Sequence, residues 1–409
     1  MNEIRQQNKM NMVVPNKVII WGVDDYNVLG LYRQLGPYNL DVTFLVFQGL
    51  RGCATVSKYC KNYYVASSLN DGKEYLISTF SEEKFKPIIL CSNDLIAEFL
   101  DLYQNDFEKF FIIPKTGIAG NLKKYDDKNT MTVLASSLGF TIPKSIRCDS
   151  NTDIRNIEYP CLIKPAHQTE GKYNEFKYII CQNERQLYRT LKFVRKDSSF
   201  ILQQYIPKES VALVYGCRMK NGEIVLAGIL EKDRFCDNGD GSHGILSSIF
   251  PSYINIDLIR KIIVEVGFYG LFSIEFGVYK NNSYFFEVNW RNDGTSHLFF
   301  QAGANIPLAW IYDAVGLDYK SIPTSVNSHS VFIDELFDIQ NIGRNGLTKE
   351  LYVQQYKEAN IFKYYDLDDM EPFLKMKKRK RKKLLLDSLV LKYRLYIVYL
   401  LDKLGIRRK

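Results

Sequence analysis

The chain has 409 residues, of which 46% are hydrophobic and 24% are charged, with 25 glycines and 12 prolines. This composition excludes a collagen-like, low-complexity or wholly disordered chain, and the length exceeds the roughly 250–300 residues at which one core stops growing. Residues 372–409 hold 14 Lys and Arg against 2 Asp and Glu, so the remainder is net negative and is not a nucleic-acid-binding surface.

The amino terminus and the cysteines indicate an intracellular protein. Residues 1–15 are polar and predict a disordered leader that lacks the apolar core of a secretory signal. Nowhere do about 20 uncharged apolar residues follow one another, as a membrane-spanning helix requires. The eight cysteines form no CxxC pair and lie mostly in apolar runs, so we expect reduced, buried thiols in a cytoplasmic protein.

Apolar runs and amphipathic segments alternate between residues 16 and 112. The runs predict strands at 17–21, 41–47, 63–65 and 86–91, and the segments predict helices at 26–35, 74–80 and 94–103. Strands that are apolar throughout and alternate with helices indicate a parallel, doubly wound sheet that is covered on both faces.

From about residue 113 the pattern changes to a mixture of helices and antiparallel pairs. Helices are predicted at 126–139, 184–194 and 256–266, and single strands at 161–164, 178–181 and 200–204. Two hairpins are predicted, one joining 211–218 to 224–230 and one joining 271–278 to 284–289 across Asn281-Asn282.

The second hairpin carries a set of oxygen ligands. Glu287 and Asn289 lie two residues apart on one strand and share a face, and the turn places Glu275 opposite them. Such ligands suit Mg²⁺, which is commonly shared with substrate phosphates. Arg291 occupies the next same-face position, where a guanidinium can bind phosphate bidentately. The alternative is a set of solvated side chains on an exposed face.

Two lysines and a strand end add to this pattern. Lys164 closes the apolar strand of YPCLIKP and Lys128 opens a helix. A lysine so placed can bind a phosphate, although each alone also fits a solvated surface residue. In FILQQYIPKES, Pro207 ends a strand. This is either an ordinary strand end or a hinge whose backbone hydrogen-bonds an adenine edge.

These motifs together resemble a known superfamily. The segments LASSLGFTIPKS, YPCLIKP, FILQQYIP, IEF and FFEVNWR occur in the order and approximate spacing of the ATP-grasp superfamily. The chain looks like its carboxylate–amine ligase and carbamoyl-phosphate-synthase-like branch over residues 16–318. The family's EINPR motif corresponds to EVNWR here, with Trp290 in place of proline. The loop at 166–176 has only Gly171, where the family's phosphate loop is rich in glycine and serine.

The resemblance implies an architecture of α/β and α+β domains. A Rossmann-like pre-ATP-grasp domain (16–112) would precede a two-lobed ATP-grasp domain (113–318), with lobes at about 113–202 and 203–318. A C-terminal extension (319–371) and a basic amphipathic helical tail (372–409) would follow.

The resemblance also implies a role for each motif residue, with ATP and Mg²⁺ (or Mn²⁺) as cofactors. Lys128 and Lys164 would contact the ATP phosphates, Gln203, Tyr205 and Ile206 would contact the adenine, and Glu209 would contact the ribose. Glu275, Glu287 and Asn289 would be the metal ligands. Arg291 would contact the transferring phosphate, and Lys232 and Arg234 would contact the substrate carboxylate.

The implied activity is an ATP-dependent, ADP-forming carboxylate–amine ligase. The γ-phosphate passes to a small-molecule carboxylate, and an amine then displaces phosphate from the acyl phosphate to form an amide or peptide-like bond. One alternative is a non-catalytic ATP-binding regulatory or scaffold protein on the same fold, because a fold does not determine function. Another is an enzyme that takes a small inorganic acid.

The basic tail has three interpretations. Residues 375–383 contain eight basic residues in nine, and residues 384–404 place apolar side chains at helical spacing. Nucleic-acid binding is disfavoured because the rest of the chain is net negative and lacks a recognition module. The apolar face could dock on the protein body or on a second subunit of a homodimer. With the basic run, residues 375–404 also suit an anionic membrane surface, as in a peripheral ligase acting on cell-envelope or surface-polymer precursors.

Overall fold

The computed structural model describes residues 14–50, 52–148, 157–165, 178–193, 200–237, 239–327 and 329–385. The leader up to residue 13, the loop at 166–176 and the second half of the basic tail therefore lie outside the described residues. Three sheets organise the rest of the chain: a four-stranded parallel sheet, a seven-stranded mixed sheet and a four-stranded antiparallel sheet.

The parallel sheet has the strand order β3-β2-β1-β4, and its strands are largely buried because helices pack on both faces. Gly22 at the end of β1 permits the close approach of Ser92, whose Oγ would lie 2.0 Å from an added Cβ. The strands are β1 (Val18–Val23), β2 (Val42–Phe47), β3 (Asn62–Ala66) and β4 (Ile88–Cys91), and the helices are α1 (Tyr26–Leu35), α2 (Leu69–Phe80), α3 (Asp94–Leu102) and α4 (Gln104–Phe107).

The antiparallel sheet has the order β5-β8-β6-β7 and forms a small lobe with its own core of cysteine and aliphatic side chains. Two helices lead into it, and one packs on it. The strands are β5 (Ser145–Cys148), β6 (Cys161–Pro165), β7 (Ile179–Cys181) and β8 (Phe200–Gln204), and the helices are α5 (Asn121–Asp126), α6 (Lys128–Leu138) and α7 (Glu184–Phe193).

The seven-stranded sheet has the order β13-β12-β9-β10-β11-β14-β15 and includes strands from the C-terminal extension. Its central strands are almost wholly buried because helices cover them. The strands are β9 (Ser210–Arg218), β10 (Ile224–Phe235), β11 (Gly241–Ser247), β12 (Gly270–Tyr279), β13 (Asn282–Asn289), β14 (Ser330–Ile333) and β15 (Ile361–Phe362), and the helices are α8 (Ile256–Val266), α9 (Ser296–Gln301), α10 (Ile306–Ala314) and α11 (Lys349–Glu358).

The first part of the basic tail is a helix over residues 371–385 that docks on the body. Phe373 and Met376 pack against the core. Lys380 points inward: its Nζ donates to the Leu336 carbonyl and lies 5.3 Å from the centre of the Phe337 ring. This first part of the tail therefore docks on the protein body, whereas the apolar face predicted at residues 384–404 lies almost wholly outside the described residues. Across the described ranges, no helix combines the length and apolarity needed to cross a membrane.

Candidate active site

A cavity of about 570 Å³ is lined by residues from all three sheets. The parallel sheet contributes the loops that follow β1 and β4, at the carboxyl ends of the strands. In doubly wound sheets this edge is where ligands bind. The antiparallel lobe contributes β6 and β8, and the large sheet contributes β10, β12 and β13. Most of the residues singled out in the sequence lie around this one space.

Glu275 and Glu287 face each other across β12 and β13. The turn between these strands is at Lys280-Asn281, both with positive φ, and lies one residue before the predicted position. Phe276 pairs with Phe285 but Glu275 pairs with Glu287, so Phe286 is an extra, bulged residue. The predicted juxtaposition of the two carboxylates is present because this bulge shifts the register.

The two carboxylates have different surroundings. Glu275 forms an ion pair with the buried Lys232, at 2.9 Å between Oε1 and Nζ. Glu287 is exposed to the cavity. Two effects raise its pKa: first the partial loss of solvent at the cavity wall, and then the negative charge of Glu275 nearby. A carboxylate with a raised pKa beside a second carboxylate is stabilised by a bound cation.

Asn289 completes a set of three oxygen-bearing side chains. It pairs with Ser273 across the hairpin, and its Nδ2 donates to Ser273 Oγ at 3.1 Å. This bond fixes the amide so that Oδ1 is the oxygen left to accept, here from Arg291 Nη2 at 3.1 Å. No group of three or more His, Cys, Asp or Glu suited to a metal occurs in the described ranges. The candidate metal site is thus two carboxylates and one amide, which fits the oxygen preference of Mg²⁺.

Arg291 joins the hairpin to the parallel sheet. Its Nε and Nη2 donate to the two oxygens of Asp94, at 2.8 Å and 3.2 Å, and Asp94 is the first residue of α3. Burial alone would lower the pKa of Arg291, but Asp94 and Asp293 raise it, so the guanidinium stays charged. The residue predicted to contact a phosphate is therefore rigidly held at the cavity wall.

The lysines lie at the side of the cavity formed by the small lobe. Lys164 Nζ donates to Gln203 Oε1 at 3.1 Å, across the β6–β8 pairing. Burial, and secondarily the charge of Lys128, lower the pKa of Lys164 to about 8. Lys128, in the first turn of α6, lines the same space. Two lysines that line one space, with one of them desolvated, form a natural position for a polyanion.

The end of β8 and the residues that follow it lie partly at the cavity and partly outside it. Gln203, Tyr205 and Ile206 line the cavity, as does the ring of Phe286. Glu209, predicted to contact the ribose, is exposed and is not among the cavity-lining residues. Its backbone N–H donates to the Val278 carbonyl, so Glu209 lies along β12, although Lys208 and Val211 on either side of it line the cavity.

Of the two basic residues predicted to bind a substrate carboxylate, one lines the cavity and the other does not. Lys232 lines the cavity and is held by Glu275. Arg234 instead leaves it: Nε and Nη2 donate to the two oxygens of the buried Asp338, at 3.0 Å and 2.8 Å, and Nη1 donates to Gln355. Irregular pairing on either side of Arg234 turns it toward the C-terminal extension. The prediction for Arg234 is corrected accordingly.

Several cavity residues were missed in the sequence. Lys363, from the C-terminal extension, is 6% exposed, with its Nζ 3.3 Å from Asp334, 3.6 Å from Asp240 and 4.3 Å from the centre of the Tyr26 ring. The aromatic context of IFKYY marks the end of a strand and could have drawn attention to Lys363. Asp25, in the turn after β1, also lines the cavity, and its place at the carboxyl end of a parallel strand was the available signal.

No family model matches the sequence. Formate-dependent phosphoribosylglycinamide formyltransferase of Sulfolobus acidocaldarius is 26% identical over 144 residues, which are 33% of this chain and 36% of that protein. The carbamoyl phosphate synthase large chain of Helicobacter pylori (strain J99) is 26% identical over 163 residues, which are 37% of this chain and 14% of that protein. The chain thus matches well under two thirds of the length of these curated relatives.

The likeness to solved structures extends over most of the chain. N5-carboxyaminoimidazole synthetase from Staphylococcus aureus, complexed with ADP, superposes with a TM-score of 0.61 at 16% identity, covering 79% of this chain and 85% of that chain. L-amino acid ligase from Bacillus licheniformis superposes with a TM-score of 0.57 at 12% identity, covering 76% and 78%. At these identities the likeness shows the fold.

Proposed function

We propose that this protein, which has the ATP-grasp fold of the carboxylate–amine ligases, is an ATP-dependent and Mg²⁺-dependent ligase that joins a small-molecule carboxylate to an amine. The observation that carries the proposal is the convergence of three kinds of group on one cavity. These are the paired carboxylates Glu275 and Glu287, the desolvated Lys164, and Arg291 anchored by Asp94.

Each group has a task in phosphoryl transfer, which depends mainly on positioning and charge neutralisation. Lys128 and Lys164 bind the phosphates of ATP, and the chain around Tyr205 lines the adenine pocket. Glu275, Glu287 and Asn289 would hold Mg²⁺, which supplies charge neutralisation at the phosphates. Lys232, next to Glu275, would hold the acid, and Arg291 would neutralise the transferring phosphoryl group.

The reaction then has two balanced steps. A carboxylate oxygen of the acid attacks the γ-phosphorus, the bond to the β-phosphate oxygen breaks, and ADP leaves. A neutral amine attacks the carbonyl carbon of the acyl phosphate, and the C–O bond to phosphate breaks. Phosphate leaves and takes the proton that the amine loses as it becomes an amide. Water would hydrolyse the acyl phosphate, so this mechanism requires that the bound substrates exclude water from the cavity.

The test is a hydroxylamine assay. The protein is incubated with ATP, Mg²⁺ and a panel of amino acids, hydroxy acids and dicarboxylic acids, and both hydroxamate and ADP are measured. We expect at least one acid to give hydroxamate, because hydroxylamine traps acyl phosphates. ATP binding without acid-dependent hydroxamate or ADP from any acid would instead support the regulatory or scaffold protein. Bicarbonate-dependent ADP release alone would support the small inorganic acid.

Removal of a phosphate-binding lysine should weaken ATP binding. A charge-assisted hydrogen bond is worth about 1.5–3 kcal/mol, so Lys164→Ala and Lys128→Ala should each lower ATP affinity roughly 10- to 150-fold. Titration calorimetry measures this directly. Lys261→Ala, at an exposed position on α8, is the matched control. Unchanged affinity in both variants would contradict the assignment.

ATP affinity should also depend on pH. Because the pKa of Lys164 is lowered to about 8, its ammonium loses its proton as the pH rises through that value, and affinity for the anionic phosphates should fall. Lys164→Arg keeps its charge at all these pH values, so its ATP affinity should be less dependent on pH. Equal pH dependence in the wild type and in Lys164→Arg would argue against a role for the Lys164 charge.

We further propose that the basic tail binds an anionic membrane surface, which would bring the ligase to envelope or surface-polymer precursors. The docked helix leaves most of its basic side chains exposed, including Arg381, Lys382 and Lys383. Each contributes about 1 kcal/mol near an anionic surface. Changing these three to Glu should abolish co-sedimentation with vesicles containing phosphatidylglycerol, whereas Lys123→Glu/Lys124→Glu, also exposed, should not. Equal partitioning of the triple variant and the wild type would leave docking as the tail's role.

A further inference from the structure

Asp25 occupies the turn between β1 and α1, at the carboxyl edge of the parallel sheet, and lines the cavity. It is the residue before the first turn of α1. Its Oδ1 accepts from the backbone N–H groups of Asn27 and Val28, at 2.9 Å and 3.2 Å, and so caps the helix. These two bonds hold the carboxyl group in one orientation at the cavity wall.

The other oxygen of Asp25 is not used in this way. No residue in the described ranges donates a hydrogen bond to its Oδ2. Three other carboxylates that line the cavity have fixed partners: Asp94 is bound bidentately by Arg291, Glu275 is paired with Lys232, and Asp293 accepts from Thr295 and Ser273. Asp240 lies 3.6 Å from Lys363 Nζ, and Glu287 is assigned to the candidate metal site. Asp25 is therefore a positioned carboxylate with one oxygen open to a ligand.

The surroundings of Asp25 suit proton exchange with a cationic ligand. Burial raises its pKa to about 6, against the opposing effects of the two capping N–H groups and of Arg291. At neutral pH it is thus a carboxylate that can accept a proton. The charged and titratable groups that face it are Asp24 and Tyr26 on its own loop, Cys53 from the segment after β2, and Arg291 from the segment after β13.

We propose that Asp25 binds the amino group of the acceptor substrate and removes its proton before the attack on the acyl phosphate. The inference rests on the proposed function and names the class of acceptor as a small primary ammonium compound. Asp25 Oδ2 accepts one proton from R–NH₃⁺, which leaves the neutral amine as nucleophile. The new C–N bond then forms as the C–O bond to phosphate breaks, the departing phosphate takes the second amine proton, and Asp25 returns its proton to solvent. The ring of Tyr26, which follows in the chain, is the adjacent surface for the body of the acceptor.

The test separates activation of the acid from attack by the amine. Asp25→Asn and Asp25→Ser both keep a side chain that can cap α1, so the helix start is preserved while the carboxylate is lost. Each variant is assayed with an acid that gives hydroxamate in the wild type, first with hydroxylamine, and then with the proteinogenic amino acids, ammonium and ethylenediamine as amine probes. Asn255→Asp, a cap exchange at the start of α8 away from the cavity, is the matched control.

We expect both Asp25 variants to form hydroxamate at the wild-type rate, because hydroxylamine is already neutral at pH 7. Amide formation should fall about 10²–10⁴-fold, the usual contribution of a positioned general base. In the wild type, amide formation should decline as the pH drops through about 6. The residual activity of the variants should lack an inflection near this pH and should instead follow the fraction of neutral amine in solution.

Four outcomes would overturn the inference in distinguishable ways. Wild-type amide formation by both variants would show that Asp25 is not the base. Equal loss of hydroxamate and amide would place Asp25 in acid activation or in the fold. Hydroxamate formation by the wild type without amide from any amine probe would exclude this acceptor class. If no acid gives hydroxamate in the wild type, the proposed function itself fails, and the inference fails with it.

Discussion

Glu287→Gln should abolish Mg²⁺-dependent turnover while leaving the protein folded. The substitution keeps the shape of the side chain and removes the charge that faces the cavity. Loss of one group that stabilises transition-state charge costs about 10²–10³ in kcat, and loss of a metal ligand should cost at least this much. Hydroxamate formation at saturating ATP, measured over a range of Mg²⁺ concentrations, gives the result.

The same substitution should make the metal-free protein no less stable. The raised pKa of Glu287 means that its folded-state carboxylate is disfavoured relative to the unfolded chain, so at neutral pH the charge destabilises the fold. Gln removes that cost, and Mg²⁺ should raise the melting temperature of the wild type more than that of the variant. Glu265→Gln, at an exposed position on α8, is the control and should change neither property. A Glu287→Gln variant that turns over like the wild type would show that the metal site is misassigned.

The sequence predicted the parallel sheet well because its signals are local. The helix at 26–35 was predicted from its amphipathic pattern with the bounds that the structure has, and the structure shows that Asp25 caps its start. The strands of this sheet are short apolar runs bounded by polar residues, and only their ends differ from the prediction. The sequence also predicted that Glu275, Glu287 and Arg291 lie on one face, because side chains two residues apart on a strand point to the same side.

Other features depend on contacts between distant segments. The hairpin turn lies one residue earlier than predicted, and a bulge at Phe286 restores the pairing of Glu275 with Glu287. No local pattern specifies a bulge here. Its physical support is Gly277, where an added Cβ would lie 2.1 Å from the Phe286 ring. Arg234 was misassigned for a similar reason, because its partner Asp338 lies 104 residues away in the chain.

The C-terminal extension was the least predictable part, although it contributes to the site. Its strands β14 and β15 extend the large sheet, and Lys363 follows directly after β15 and reaches the cavity. Short strands and a single buried lysine give little periodic signal. Polar contacts join the extension to α1 and to the segment after β2, and the strength of those contacts can be tested.

Breaking the buried ion pair between Arg33 and Asp369 should strongly destabilise the protein. Both side chains are 1% exposed, and Arg33 Nε lies 3.0 Å from Asp369 Oδ2. Asp369 also accepts from Ser57 Oγ and from the Lys58 N–H, at 2.8 Å and 2.9 Å. Asp369→Asn keeps one oxygen that can accept from the Lys58 N–H, and its amide nitrogen can donate to Ser57 Oγ, but the Arg33 charge is left buried without its counter-charge. We expect a loss of about 3–5 kcal/mol, measured by urea denaturation.

The double variant Arg33→Met/Asp369→Asn separates the charge from the packing. It removes both charges together, so it should be clearly more stable than the sum of the two single changes predicts. Asp366→Ala is the control, because Asp366 lies 3.9 Å from Arg33 Nε and is partly exposed, so its loss should cost little. Additive losses in the double variant would mean that the pair contributes no coupling. Because α1 carries Arg33 and begins next to Asp25, a loosened extension should also raise the KM for the amine more than the KM for ATP.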